Sequence, residues 1–221
     1  VPCNIPFATA VVNSSEAVST GELIYEICNT LKWQRTALTN DFIAQSILSD
    51  SLGLMSEGVT ARTMFIMAEL VEAGVSLAIL DEERKKLSKR SAEITEYKGR
   101  LLQRIEYYAD GRLAIVMIPW TEIEKYSSAY NPSMLVLDEM RMVEGVQATV
   151  AFKVYKDGKI TGKIRCNRGF GIGADLAAHF GGGGHVYAAG FKITQKTDFA
   201  SVKSACIDKA THLLDTLPKQ D

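Results

Sequence analysis

The segment Phe180-Gly181-Gly182-Gly183-Gly184-His185-Val186-Tyr187-Ala188-Ala189-Gly190 constrains this chain more than any other. Four successive glycines let the backbone reach dihedrals closed to other residues, so neighbouring N–H groups can turn inward toward one anion. His185 adds a donor that is neutral or charged near pH 7. These residues read as a phosphate cradle built on Gly182, Gly183, Gly184 and His185; the alternative is a flexible loop with a solvent-exposed histidine. No Gly-Lys-Ser/Thr follows, and the glycines come after a helical stretch instead of opening one, which excludes a Walker loop and a dinucleotide fingerprint.

The surrounding half of the chain reads as strands flanked by helices. Val146, Ala148, Val150, Phe152 and Val154 alternate with Gln147, Thr149, Ala151, Lys153 and Tyr155, the pattern of a half-buried strand. Ile160, Gly162, Ile164 and Cys166 continue it after Lys156-Asp157-Gly158. A two-residue Asp-Gly turn would pair Val154 with Thr161 and oppose the two apolar sets. A three-residue loop with Gly158 left-handed pairs Val154 with Ile160, and is the turn expected. Thr161, Lys163 and Arg165 then share one polar face with Gln147 and Lys153. Arg165 can grip a second phosphate oxygen from there, or pair with a nearby carboxylate as an ordinary surface residue. Leu113 to Ile118 reads as a buried strand ended by Pro119, and Leu135 to Leu137 as another. A short helix near Ala174 to His179, a strand from Ala189 to Ile193 and a helix from about Phe199 to Leu217 complete this half.

The first third reads as helices. Ser19 and Glu22 stand at capping-box spacing before an apolar stripe of Leu23, Ile24, Ile27, Cys28 and Leu31. A second helix, about Asn40 to Leu48, turns Phe42, Ile43 and Ile47 inward. A third begins near Thr60, carries Met64, Met67, Ala68 and Val71, and stops at Gly74. Between them, Asp50 enters a loop with Ser51 and Gly53, where its carboxylate can reach a metal ion or simply close a turn. From Ser76 to about Tyr108 a charge-rich helical stretch has Arg84, Ser91 and Lys98 in its apolar seam, which argues for one or two joining helices, broken near Gly99, over a coiled coil. The basic residues between Arg84 and Arg104 read as a solvated helix face, and His179 and His212 as structural or superficial.

Across 221 residues, 25 Lys+Arg against 26 Asp+Glu give a formal charge of −1, which disfavours binding long nucleic acid by field alone. A composition 47% hydrophobic and 23% charged supports a buried core and excludes disorder, collagen and a disulfide scaffold. Cys3, Cys28, Cys166 and Cys206 lack C-x-x-C spacing and read as buried thiols in a reducing cytoplasm. The longest strongly apolar run, Leu113 to Trp120, is too short to span a membrane. No initiator Met or signal segment opens the chain, so a trimmed or partial sequence is expected.

Taken in order, these residues resemble the DHH phosphoesterase family, in its branch of short-oligonucleotide exonucleases and phosphatases of 3′-phosphoadenosine 5′-phosphate. Gly181 to His185 with Ala188-Ala189-Gly190 looks like the G-G-G-H-x-x-A-A-G signature of the family's C-terminal DHH-associated domain. Ser19-Thr20-Gly21-Glu22-Leu23 looks like the helix start that lies downstream of the DHH motif, and Ser49-Asp50-Ser51 with Thr60 like a later catalytic motif whose Asp binds metal. The resemblance implies an α/β fold: a partial DHH catalytic domain over residues 1–75, a helical linker over 76–110, and a smaller α/β substrate-binding domain over 111–221. It implies hydrolysis of a phosphoester of a short oligonucleotide or small nucleotide by water activated between two manganese ions. Asp50 would be the catalytic metal ligand, while Arg165, Gly182, Gly183, Gly184 and His185 would hold the substrate phosphate. It further implies a cytoplasmic protein and favours a homodimer. The sequence contains no Asp-His-His and no D-x-D motif. Val1 to Val12, with Asn4, Pro6 and Phe7, resembles the family's segment immediately downstream of the DHH motif, so truncation at that point is expected. Leu52 intervenes before Gly53, and Leu54 replaces an expected aromatic. Domains similar to the C-terminal one occur beside tRNA synthetase and exonuclease cores, so a module that binds nucleotide or nucleic acid without hydrolysing it is the alternative. Ser127 to Arg141 matches no motif with an assignable chemistry.

Overall fold

The computed structural model describes residues 9–218, which divide into two units after Lys89. Val1 to Ala8, with Cys3 and most of the segment expected to lie downstream of a DHH motif, are outside the described residues.

The N-terminal unit is helical among the described residues: α1 (Thr20–Thr30), α2 (Ala37–Asp50), α3 (Ala61–Glu72) and α4 (Leu77–Leu87). Ser19, Thr36, Thr60 and Ser76 each cap one helix by accepting the N–H three residues on. The Glu22 carboxylate reaches back to the Val18 N–H at 2.6 Å, one residue beyond a regular capping box. Tyr25, Ile43, Ile47, Ile66, Met67, Leu70 and Leu80 form the core. Cys28, Ile43, Ile47 and Met67 are buried as expected, but part of each expected apolar face is not. In α1 the inward line is Gly21, Glu22, Tyr25 and Cys28, and Ile24 and Leu31 are exposed. In α2 Phe42 is exposed, and in α3 Met64 and Val71 are exposed while Ile66 and Leu70 are buried. α1 presses so closely on α2 that a Cβ on Gly21 would stand 2.8 Å from the Ile43 carbonyl, and this contact sets the rotation of α1. Gly74 ends α3 with φ of +100°.

The stretch 76–110 contributes to two cores. α4 packs Leu80 into the first unit, whereas α5 (Ala92–Gln103) sends Ile94, Tyr97 and Leu101 into the second. The chain breaks around Ser88 to Ser91; Gly99 lies inside α5, and Glu106 to Tyr108 form a strand instead of helix. Arg104 is not simply solvated: it grips Glu122 through two nitrogens, at 2.8 and 2.6 Å.

The second unit is built on a six-stranded sheet ordered β1-β2-β3-β4-β6-β5. Its strands are β1 (Glu106–Tyr108), β2 (Leu113–Pro119), β3 (Ala148–Val154), β4 (Ile160–Cys166), β5 (Gly183–His185) and β6 (Ala188–Ile193). β2 and β3 run parallel, joined through α6 (Trp120–Tyr126), a 3-10 turn (Pro132–Leu135) and α7 (Leu137–Arg141). The strand expected at Leu135 to Leu137 is therefore helical, because this crossover must return the chain across the sheet face. The other neighbouring pairs are antiparallel. Val154 pairs with Ile160 and Gly158 has φ of +82°, as the three-residue loop requires. α8 (Gly173–His179) and α9 (Phe199–Thr216) cover one face of the sheet, and α5, α6 and α7 cover part of the other. β3 lies between both layers, so Thr149 and Ala151 on its expected solvent side are buried as well.

Cys28, Cys166 and Cys206 are free buried thiols; burial pushes Cys166 up to about 11 and Cys206 up to about 12. Among the described residues no single helix is long and apolar enough to cross a membrane.

Candidate functional site

Alternation in β4 sends Ile160, Ile164 and Cys166 into the core under α8 and α9 and turns Thr161, Lys163 and Arg165 to the opposite face. The register extends that face across the sheet. Arg165 stands opposite Thr149 on β3 and Ala188 on β6, and Ala188 stands opposite His185 on β5. One rung along, Lys163 faces Ala151 and Gly190, and Gly190 faces Gly183. The next rung joins Lys153, Thr161 and Lys192. The layer of α5, α6 and α7 packs on Ala114, Val116, Ile118 and Ala151. It leaves Lys163 and Arg165 half-buried and His185 exposed.

This face is rich in uncompensated positive charge. Lys153 is only 9% exposed, and its Nζ donates to Asn131 Oδ1 at 2.8 Å. Burial first, then the neighbouring Lys163, holds the Lys153 ammonium below the usual lysine range. Burial, followed by Arg165, does the same to Lys163. Arg165 Nη1 donates to the Ile164 carbonyl at 2.9 Å. Among the described residues no carboxylate forms an ion pair with Lys153, Lys163 or Arg165. The surface-strand reading of Arg165 thus lacks the acidic partner it would need.

The glycine run is a turn followed by an edge strand. A Cβ on Gly182 would stand 2.3 Å from the Gly190 carbonyl oxygen, and one on Gly184 would stand 2.6 Å from Ala189 Cα. Gly184 also has φ of +140°. β5 can therefore approach β6 only with glycine at these two positions. Gly183 is different: nothing lies within 4 Å of the place a Cβ would take. The Val186-Tyr187 turn is clasped by the start of α8, where the Gly173 N–H donates to the Val186 carbonyl at 2.8 Å. β5 leaves no sequence signal, because glycine has low strand propensity; its place is set by pairing with Ala188-Ala189-Gly190.

Asp50 ends α2 in the N-terminal unit and is exposed. Ser51 behind it is buried and accepts the Leu54 N–H at 2.8 Å, while Leu52, Gly53 and Leu54 all have positive φ. Among the described residues no group of three His, Cys, Asp or Glu gathers to hold a metal ion.

Residues 131–214 match the DHHA1 domain family. This region is a DHHA1 domain. The domain begins at Asn131, so it takes in the Asn131-Pro132-Ser133 turn that sequence motifs left unassigned, and it holds the glycine strand, Lys153, Lys163 and Arg165. Two relatives extend the likeness into the N-terminal unit. The bifunctional oligoribonuclease and PAP phosphatase NrnA of Thermus thermophilus is 27% identical over 180 residues, covering 81% of this chain and 52% of its own length. That of Mycoplasma genitalium is 22% identical over 192 residues, covering 86% of this chain and 58% of its own. The chain thus spans a little over half the length of these curated relatives. The crystal structure of an exopolyphosphatase-related protein from Bacteroides fragilis superposes with a TM-score of 0.77 at 20% identity, covering 97% of this chain and 63% of that one. It shows that the α/β fold is shared.

Proposed function

We propose that the DHHA1 domain holds a phosphate of a small nucleotide or short oligonucleotide for a manganese-dependent phosphoesterase reaction. The observation that carries this reading is the rung joining Arg165, Ala188 and His185, an unpaired guanidinium and an imidazole on one open sheet face. Arg165 would bind two phosphate oxygens through its guanidinium, and His185 would donate a ring N–H to a third or to the bridging oxygen. Gly183, with nothing beside its Cα, would let the phosphate approach the backbone of β5. These donors would also balance negative charge as it develops on the phosphoryl oxygens. The near-neutral net charge suits a ligand with few phosphates. Manganese, Asp50 as one of its ligands, a cytoplasmic location and a homodimer belong to the same proposal by family resemblance.

The test is release of mononucleotide from a 5′-phosphorylated dinucleotide by the gene product purified from its natural host, with manganese and again with a chelator. Metal-dependent release supports the proposal. Tight binding without release from several such substrates would favour the binding-module reading.

A further inference from the structure

We propose that a cavity at the start of α1 binds a primary ammonium carried on a short alkyl stem, held by the carboxylates of Glu22 and Glu16. The site lies in the N-terminal unit and is independent of the phosphate reading above.

The argument begins with Glu22, which is only 5% exposed. One carboxylate oxygen accepts the Val18 N–H at 2.6 Å, and the other, Oε1, is buried with no hydrogen-bond partner among the described residues. A carboxylate withdrawn from water keeps its charge at low cost only when its oxygens are satisfied. The N-terminus of α1 compensates part of that charge, but it brings no donor to Oε1. The bond to Val18 folds the carboxylate back against the chain just before α1, where Ala17 and Glu16 line a cavity of about 220 Å³ together with Glu22. An unpartnered acceptor therefore adjoins an open space large enough to seat a donor from outside.

The walls indicate which donor. Arg62, the cation among the lining residues, is already paired with Glu26 at 2.6 Å. Glu16 is exposed and meets the Ser15 hydroxyl at 3.4 Å, a long contact. Glu16 and Glu22 thus leave two negative charges without a counter-ion among the described residues. Leu23 and Ile66 join Ala17 in an apolar stretch of wall. A methylene chain can lie against that stretch while its ammonium head donates up to three hydrogen bonds to the carboxylates. At ~30 Å³ per water-sized group the cavity seats roughly seven of them, enough for a four-carbon stem and its nitrogen. A free diamine and a lysine side chain share this chemistry.

The experiment measures the affinity of the 221-residue chain for putrescine and for Nα-acetyl-lysine amide by calorimetry, with magnesium and tetramethylammonium chlorides at matched ionic strength as controls. At least one ammonium probe should bind about tenfold more tightly than either control, and the one that does so identifies the source. Glu16→Gln, at an exposed position, should weaken that probe about tenfold, and Glu22→Gln, checked for folding by circular dichroism, should do the same. Glu72→Gln, which removes an exposed charge at the last residue of α3, should leave the affinity unchanged. Controls that bind as tightly as both ammonium probes overturn the proposal, because charge alone would then explain the binding. So does an affinity that survives in Glu16→Gln, one lost equally in Glu72→Gln, or no binding of either probe. Each of these outcomes leaves the Arg165 and His185 reading standing.

Discussion

Alanine substitutions at Gly182 and Gly183 separate the part of the glycine run that builds the fold from the part that faces a ligand. At Gly182 the new methyl carbon would lie 2.3 Å from the Gly190 oxygen, 2.6 Å from Phe191 Cβ and 2.7 Å from Phe191 Cα. Two of these three atoms are backbone, so no rotamer change relieves the clash. β5 must move away from β6, or the whole hairpin must shift. Overpacking of this kind costs about 1–3 kcal/mol, with its upper end set by the free energy of detaching a three-residue edge strand. At roughly 4 °C per kcal/mol for a unit of this size, the melting temperature should fall by about 4–12 °C. At Gly183 no atom lies within 4 Å of the added methyl and φ is not positive, so stability should hold or rise by up to about 1 kcal/mol. The same methyl would stand on the open face beside Lys163 and Gly190, where the phosphate is proposed to approach. Thermal unfolding paired with calorimetric binding of adenosine 5′-monophosphate reads both effects. Gly182→Ala should lose stability, and Gly183→Ala should lose affinity at least tenfold while remaining as stable as the parent. Equal melting temperatures for the two variants would refute the close-approach argument. Undiminished affinity in Gly183→Ala would remove β5 from the phosphate site.

Contacts away from that face carry further consequences. The Tyr97 hydroxyl donates to Glu122 at 2.9 Å, and burial pushes its pKa up; because Arg104 still satisfies Glu122, Tyr97→Phe should cost only about 1 kcal/mol in urea unfolding. Tyr97→Ala also removes the ring stacked on Tyr126 at 3.9 Å and should cost about 3–5 kcal/mol. Lys203 and Tyr108 hold the Glu106 carboxyl below its ordinary 4.5. Its contribution is therefore present above that pH and lost as pH falls through the lowered value. Glu106→Gln should flatten this acid limb by at most about 1 kcal/mol, since the Glu106 side chain is half exposed to solvent. Leu52 is 75% exposed with φ of +54°, so Leu52→Gly should not destabilise the chain and should gain up to about 1 kcal/mol in the same unfolding assay. A clear loss would show that the leucine side chain makes a contact that compensates for its backbone strain.

Local rules carry through wherever one residue type has few alternatives. The Ser19 cap, the helix start at Thr60, the left-handed Gly158 and the alternation in β3 and β4 were all legible, because each depends on neighbours within a few positions. The alternation in β4 also placed Arg165 and Lys163 on one face before any partner strand was known. Helix rotation was less legible. The apolar residues of α1 to α3 outnumber those that one buried face can hold, and the close approach at Gly21 selects among them. Exposed Ile24, Phe42, Met64 and Phe65 fit a helical period as well as the buried residues do. The extra charge of the candidate site went unread for a related reason. Lys153 looks like an ordinary outward-facing strand lysine until the α6 to α7 crossover covers β3 and leaves its Nζ against Asn131.

The sequence by itself determined that a glycine-rich segment ending in His185 comes after a strand bearing Arg165, and that both belong to a DHHA1 domain. Composition, caps and side-chain periodicity are properties of short stretches, so they survive without knowledge of the rest of the chain. Only the tertiary structure decided that β5 pairs with β6, that β6 pairs with β4, and that Arg165, Lys163, Gly183 and His185 therefore share a face. It also decided that Lys153 would be buried without an acid. Strand order and register depend on contacts between segments far apart in sequence, and no local propensity specifies which edges meet.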